Sequence, residues 1–490
     1  MAILTRPQEG LILIDGDWHW SASAETLEDR DPGTGEVVGV LAQGGPDEVD
    51  RAVAAARRAA PDWAALAASA RASYLNLAAA RLEGEAEEWA ELMTREMGKP
   101  LPEAKVECIR AVRILQFFAG EAHRPFGEQY ASDQAQTWLF TRREPVGVVG
   151  IITPWNFPAA IPAWKLAPAL VFGNAVVVKF AEDGALTGLW LARALHEAGL
   201  PPGVLNVVLG AGSRVGAAIV DHSGIDAISF TGSTQVGRTI LAVAGKSAKK
   251  VQLEMGGHNP VVVRADADLD HALNSVVLGA FASSGQKCTA TRRVYVAGEA
   301  YEEFVTRLVA RAKSLKVGYG LDQGTEMGPL VNEVQLEGVL EAVGRAEKQG
   351  TLRCGGRRLT DGDYARGCYL GPAVFTDLPH DSELACEEVF GPVVGVWSVD
   401  DDEEALQLAN RTRYGLSASI FTRDLDLAKR FVEQTRAGIV HVNSQTAGAE
   451  VHVPFGGLAA TGYGPHEQGR AAIEFFTEQK TVYLDPSTPP

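Results

Sequence analysis

Cys288 and Glu254, 34 residues before it, carry the side chains of this 490-residue chain best suited to nucleophilic chemistry. A thiol is the most nucleophilic side chain near neutral pH, although its ordinary pKa of about 8.5 leaves it mostly protonated. A carboxylate can accept its proton, or can activate a water that cleaves what the thiol forms. Taken singly, each has an ordinary explanation: an isolated cysteine is usually a small buried apolar group, and an isolated glutamate a solvated charge. The surrounding runs separate these two from that background. Glu254 stands in Leu253-Glu254-Met255-Gly256-Gly257, where the glycines permit close backbone approach, and Cys288 ends Gly285-Gln286-Lys287-Cys288. The remaining thiols, Cys108, Cys354, Cys368 and Cys386, are scattered with no CxxC. Cys108 falls in a helical stretch over 105–118 and reads as core. Such an odd set fits a reducing cytoplasm better than a disulfide framework. The ten histidines show no ligand spacing, so no metal site is expected.

The elements that must position these residues are legible in the middle of the chain. Continuous apolar runs at 146–152, 175–179, 204–208, 228–230 and 250–253 read as strands buried on both faces. A helix over 187–198 places Leu191, Leu195 and Ala198 on one stripe and ends at Gly199 before Pro201-Pro202. Strand and helix alternating through short links predict a parallel, doubly wound sheet. Upstream, 47–60 and 63–97 read as long helices, the second stopped by Gly98 and Pro100. Downstream, a strand over 293–296 and a helix over 299–315 begin a second α/β unit. The alternation in Gln136-Thr137-Trp138-Leu139-Phe140 reads as an exposed strand that needs a partner, expected as a pairing of 134–143 with 480–484. Residues 486–490 read as a loose tail.

The length argues for two or three domains. A net charge of −17, from 45 basic and 62 acidic residues, opposes binding to nucleic acid or anionic lipid. The first residues lack the long apolar core of a signal peptide, and no apolar run approaches the roughly 20 residues of a membrane span. The expected setting is cytoplasmic.

No strand is followed by a clean G-x-G-x-x-G. Gly210-Ala211-Gly212-Ser213-Arg214-Val215-Gly216 has one residue too many, and Gly232-Ser233-Thr234-Gln235-Val236-Gly237-Arg238-Thr239 imitates a phosphate loop with Arg238 where lysine is required. The better account is a strand ending at Phe230 with Gly232 and Ser233 opening a helix, whose free N–H groups and dipole suit a pyrophosphate.

Further runs are Thr153-Pro154-Trp155-Asn156-Phe157-Pro158, Val178-Lys179-Phe180-Ala181-Glu182, Phe230-Thr231-Gly232-Ser233-Thr234, Glu388-Val389-Phe390-Gly391-Pro392 and Pro454-Phe455-Gly456-Gly457. Together with the Glu254 and Cys288 runs, and in this order, they resemble the aldehyde dehydrogenase superfamily over essentially the whole chain. The resemblance implies an NAD(P)-dependent oxidoreductase in which Cys288 attacks an aldehyde, Asn156 and the Cys288 N–H face the oxyanion, and Glu254 activates water against the thioester. Lys165 is a further catalytic expectation. The cofactor set it implies is Thr153, Pro154, Trp155, Lys179, Glu182, Gly212, Gly216, Phe230, Gly232, Ser233, Val236, Glu388 and Phe390. Glu182 favours NAD, because a carboxylate suits ribose hydroxyls and repels a 2′-phosphate, while Lys179 keeps NADP open. The implied fold is α/β. It comprises a Rossmann-like cofactor domain (1–126 and 146–255), a catalytic domain (256–456) and a small β oligomerisation arm (127–145 and 474–490) of a homodimer or homotetramer.

Segments 161–170, 445–455 and 464–470 resemble the branch that oxidises α-ketoglutaric semialdehyde to 2-oxoglutarate. Succinic, glutaric or broad-range aldehydes are the alternative, and a non-catalytic binding relative the remote one. Phe157, Trp164 and Phe455 match channel-lining positions. An acidic substrate needs a cation at the mouth, for which Arg292 is the candidate by its nearness to Cys288. Arg293 matches the family's more usual basic position, with a surface ion pair as its ordinary explanation. Ala459, Thr461 and His466 depart from the family's residues.

Overall fold

The computed structural model describes residues 8–124 and 127–485. The chain's first six residues and the expected tail at 486–490 lie outside the described residues. Five parallel strands form the heart of the first large sheet: Val148–Ile152, Ala175–Lys179, Leu205–Val207, Ala227–Thr231 and Lys250–Glu254. Val148–Ile152 is central. The next two strands in sequence lie on one side of it and the last two on the other. That order is the doubly wound, Rossmann-like one, and it puts a topological switch point between Val148–Ile152 and Ala227–Thr231. Antiparallel edge strands complete the eight-stranded sheet.

The apolar runs are continuous because both faces are covered. Val149, Ile151, Val176 and Val178 join the core formed with helices Ala68–Gly84, Leu101–Glu121, Ala160–Val171 and Ala185–Glu197. Val148, Val177, Ile228 and Leu253 pack in a separate core with helices Pro46–Ala65 and Thr234–Ala244. A second, seven-stranded sheet is built around Asn259–Val263 and Thr291–Ala297, with helices on both faces. The arm is a three-stranded antiparallel sheet in which Trp138–Pro145 pairs with Thr477–Leu484 and with Gln129–Tyr130. No helix among the described residues is long and apolar enough to cross a membrane.

Three expectations change. The first helix runs through Pro61 to Ala65, and the stretch read as one long helix is two, Ala68–Gly84 and Ala86–Met97, broken at Glu85. Glu85 accepts the Trp190 indole N–H at 2.8 Å, so tertiary packing outweighs helix propensity there. The arm strand starts at Trp138 rather than 134, with Lys480 opposite Arg142 and Leu484 opposite Trp138.

Candidate active site

Cys288 lies in the turn between helix Leu269–Phe281 and strand Thr291–Ala297. Its approach is strained: Ser283 and Ser284 both take left-handed dihedrals at φ 54°, followed by Gly285 at φ 67°. Left-handed geometry costs a side-chain-bearing residue about 1–2 kcal/mol. Hydrogen bonds hold it. The Glu103 carboxylate accepts from the N–H and hydroxyl of Ser283, and Ser284 Oγ donates to the Gly328 carbonyl at 2.8 Å. Asn259 Nδ2 donates to the carbonyls of Cys288 and Ala290, both at 2.8 Å, and its Oδ1 accepts from Ser417 N–H. The nucleophile's backbone is thus fixed on both sides of the thiol.

Glu254 ends its strand 4 % exposed, with Oε2 buried and without a hydrogen-bond partner. Gly256 and Gly257 follow because nothing larger fits. A Cβ on Gly256 would lie 2.1 Å from Glu388 Oε2, and one on Gly257 2.3 Å from the Cys288 carbonyl oxygen. Met255 N–H donates to the Thr461 carbonyl at 2.7 Å, so that departure residue positions the Glu254 run. Behind Glu254 a buried ion pair joins Lys165 and Glu467, and Lys165 Nζ also donates to Ser229 Oγ at 2.9 Å. Burial first, and then the negative charge of Glu467, hold the Glu254 carboxyl well above the usual range, with Lys165 opposing.

Asn156 is 5 % exposed, and one Nδ2 hydrogen goes to the Gln286 carbonyl at 3.1 Å, leaving the other to spend. Its own carbonyl accepts from Lys99 Nζ at 3.0 Å. Lys99 forms a buried ion pair with Glu107, whose Oε1 accepts from Ala159 and Ala160 N–H at the start of helix Ala160–Val171. Lys99 Nζ also sits 4.1 Å over the Phe157 ring.

The half-buried Cys288 thiol is pushed up to about 12, by burial and then by the charges of Glu388 and Glu254, against the Thr289 N–H, which favours the anion. Burial also pushes Glu388 up to about 7, opposed by Arg292. Nucleophile and carboxylates therefore feel one another electrostatically, as a thiol with a proton acceptor must.

A cavity of about 1130 Å³ opens at the switch point, lined by Ile152, Gly212, Arg214, Gly216, Phe230, Val236 and Ile240 among others. Thr153 Oγ1 and Thr231 Oγ1 lie there at the carboxyl ends of adjacent strands, both buried without a partner. Ser233 caps helix Thr234–Ala244 by accepting from Val236 N–H at 3.3 Å. Lys179 Nζ pairs with Glu182 at 3.2 Å, and the lysine's aliphatic stem lies beside Gly216. The Trp155 and Phe390 rings meet edge to face at 5.5 Å, and Glu388 accepts from Gly257 N–H at 3.1 Å. Gly232 N–H bonds the Glu254 carbonyl at 3.0 Å, tying the anion-binding turn to the Glu254 strand. Apolar walls, unspent hydroxyls and a helix N-terminus suit a dinucleotide in the crevice.

Trp164 and Phe455 pack with ring centroids 5.6 Å apart, both largely buried. Arg292 is a correction. Its guanidinium does not face an open mouth; it donates to the carbonyls of Gly285, Lys287 and Gly391, leaving only Nε unpaired. Arg293 is fully buried and bonds the carbonyls of His258, Leu408 and Ala409 rather than a surface acid. Both hold loops. Lys99, Glu103, Glu107, Asn259 and Glu467 went unread. For Glu103 and Glu107 the sequence held no signal, since charged residues at i and i+4 on a helix ordinarily form its solvent face.

The aldehyde dehydrogenase family model matches residues 18–482. The chain is 43% identical over 488 residues to a Bacillus subtilis protein named alpha-ketoglutaric semialdehyde dehydrogenase, covering 99% of this chain and 100% of that one. It is 44% identical over 473 residues to a Haloferax volcanii protein named alpha-ketoglutarate semialdehyde dehydrogenase, covering 96% and 98%. The crystal structure of Staphylococcus aureus betaine aldehyde dehydrogenase in complex with NAD+ superimposes with a TM-score of 0.96 at 32% identity, covering 100% of this chain and 97% of that one. The chain belongs to the aldehyde dehydrogenase family, and is an oxidoreductase acting on aldehydes.

Two outcomes follow from this geometry. Glu107→Leu strands the Lys99 ammonium, a change worth about 3–5 kcal/mol, so the thermal midpoint at matched scan rate should drop clearly, and Lys99→Met added to it should recover part of the loss. Additive losses would refute the pairing. Iodoacetamide alkylation of Cys288 in the unliganded enzyme should rise roughly tenfold per pH unit from neutrality to beyond pH 9, since the thiol's pKa lies higher still. Glu388→Gln should accelerate it above about pH 7, where that carboxyl is ionised, by removing a charge that opposes the thiolate. A plateau below pH 9, or a slower variant, would contradict the electrostatics.

Proposed function

We propose that this protein oxidises α-ketoglutaric semialdehyde to 2-oxoglutarate with NAD(P)+, through covalent catalysis at Cys288. What supports this reading is the electrostatic action of Glu254 on Cys288 and the Asn156 amide bonded to the Cys288 loop at Gln286, in a chain whose relatives named for that substrate align over nearly full length. Cys288 Sγ adds to the aldehyde carbon while its proton passes to Glu254, directly or through water. The carbonyl oxygen gains the electron pair, opposite the free Asn156 Nδ2 hydrogen and the Cys288 N–H, which has no backbone partner. A bound nicotinamide supplies the acceptor for the hydride that leaves the former aldehyde carbon, and a thioester remains on Cys288. Glu254 passes the thiol's proton on to solvent and then takes a proton from water; the hydroxide adds to the thioester carbon, the C–S bond breaks, and the thiolate departs from the carboxylic acid. Glu254 can serve only when ionised, so turnover falls as pH falls through its raised pKa. Lys165 and Glu467 are paired behind Glu254.

Thr153, Pro154, Trp155, Gly212, Gly216, Phe230, Gly232, Ser233 and Val236 would hold the adenosine and pyrophosphate, with Glu388 and Phe390 towards the nicotinamide. NAD is favoured over NADP because Lys179 is engaged by Glu182, and that carboxylate opposes a 2′-phosphate. Free thiols at all five cysteines support a reducing cytoplasmic setting. Exposed Trp138, Tyr483 and Leu484 on the arm support a homodimer or homotetramer, with the arm and the two α/β units divided as the sequence suggests.

Steady-state NADH and NADPH formation on α-ketoglutaric, succinic and glutaric semialdehydes, benzaldehyde and propanal should give the highest kcat/KM with the first, and none with Cys288→Ala. Glu254→Gln should lower kcat by about 10²–10⁴. Leadership by another aldehyde would replace the substrate; full activity in either variant would replace the mechanism. Light scattering should give two or four times the 52.2 kDa chain mass, and a monomer would remove the arm's assigned role.

A further inference from the structure

The proposed substrate ends in a carboxylate, and a buried carboxylate is costly without a cation. Neither arginine beside Cys288 is free to provide one, since Arg292 and Arg293 are spent on backbone carbonyls. Arg110 differs. It lies on helix Leu101–Glu121 three residues after Glu107, on the same face one turn along. Its guanidinium sits over the Trp164 ring, 5.9 Å from the centroid, and its Nε and Nη2 are buried without a hydrogen-bond partner. The acids that act on it are Glu107, already joined to Lys99, and Glu450, neither within ion-pair distance. Trp164 stacks on Phe455, and the next residue, Gly456, packs against Glu254, where a Cβ would lie 2.9 Å from Oε1. An unspent guanidinium therefore stands one aromatic layer from the carboxylate that serves the nucleophile. Its forked donors match a carboxylate in two parallel bonds.

We propose that Arg110 is the specificity-determining residue of this enzyme: its guanidinium receives the distal carboxylate of the substrate beside Trp164 while Cys288 holds the aldehyde carbon. This rests on the reading of an acidic semialdehyde as substrate. Wild type, Arg110→Met and Arg110→Lys are compared on α-ketoglutaric semialdehyde, glutaric semialdehyde and pentanal, a neutral aldehyde of equal carbon count. The methionine variant should lose about 10²–10³ in kcat/KM for both acids, mainly through KM because the contact is remote from the reacting carbon, with pentanal shifting less than about threefold. Lysine keeps the charge without the fork, so it should recover part of the acid activity. Should the methionine variant misfold, the lysine variant carries the test alone through a severalfold rise in KM for the acids only. Equal losses on pentanal would make Arg110 a support for Trp164 and overturn the proposal. Unchanged acid kinetics in an enzyme that prefers acids would overturn it too, leaving the substrate standing. A wild type that prefers pentanal would overturn both.

Discussion

The buried ion pair between Lys99 and Glu107 is the interaction on which the site's geometry depends. Taking two charges out of water is expensive, and a pair so placed is retained only if each member has other work. Glu107 uses its second oxygen on the first N–H groups of helix Ala160–Val171, which lack intrahelical partners. Lys99 donates a hydrogen bond to the Asn156 carbonyl and covers the Phe157 ring. The direction of the Asn156 amide is thereby set before any substrate arrives, and preorganisation of that kind is where an oxyanion donor gains its effect. The same helix face reaches the nucleophile through Glu103, which holds the left-handed turn at Ser283. One helix therefore aligns two loops that come from different sheets.

Within that frame the charges do not balance. Glu254, Glu388 and Glu467 face Lys165 and Arg292, so full ionisation would leave an excess negative charge before the thiol loses its proton. Burial raises all three carboxyls. Burial thus opposes ionisation of all three at once, and their charges in turn oppose ionisation of the thiol. The carboxylates titrate as a set rather than one by one. Glu254 has Lys165 and Glu467 behind it, so its basicity is set first by burial and then by the opposed charges of that pair. The arrangement suits a base that must work twice, once for the thiol and once for water.

Much of this was legible in the sequence, for physical reasons that also explain the rest. Strand 175–179 was readable to the residue because a strand covered on both faces leaves no polar interruption. The Glu254 run stood out in the sequence because close approach forces glycine beside it, as the contacts at Gly256 and Gly257 show. The break at Glu85 was not, since it answers to Trp190 more than a hundred residues away. Arg292 was misassigned because nearness in sequence says nothing of where a long side chain ends, and its donors are consumed by carbonyls of the Cys288 loop and of Gly391. Glu467 stood inside a recognised run yet had no role until the fold brought it to Lys165. Catalytic motifs are local, and the charges that tune them are not.

Placement of the specificity charge on a helix rather than a loop has its own consequence. A guanidinium on a packed helix has its backbone held by the helix's own hydrogen bonds, independently of the segment around Glu450. The chemistry is held by Lys99, Glu103, Glu107 and Asn259, none of which contacts the far end of a substrate. Substitution at 110 or 164 can therefore alter which aldehyde enters while leaving the thiol, its base and its oxyanion donor in register. Glu107 and Arg110, neighbours on one face, divide the labour: the first aligns the machinery common to any aldehyde, and the second selects by the charge at its other end.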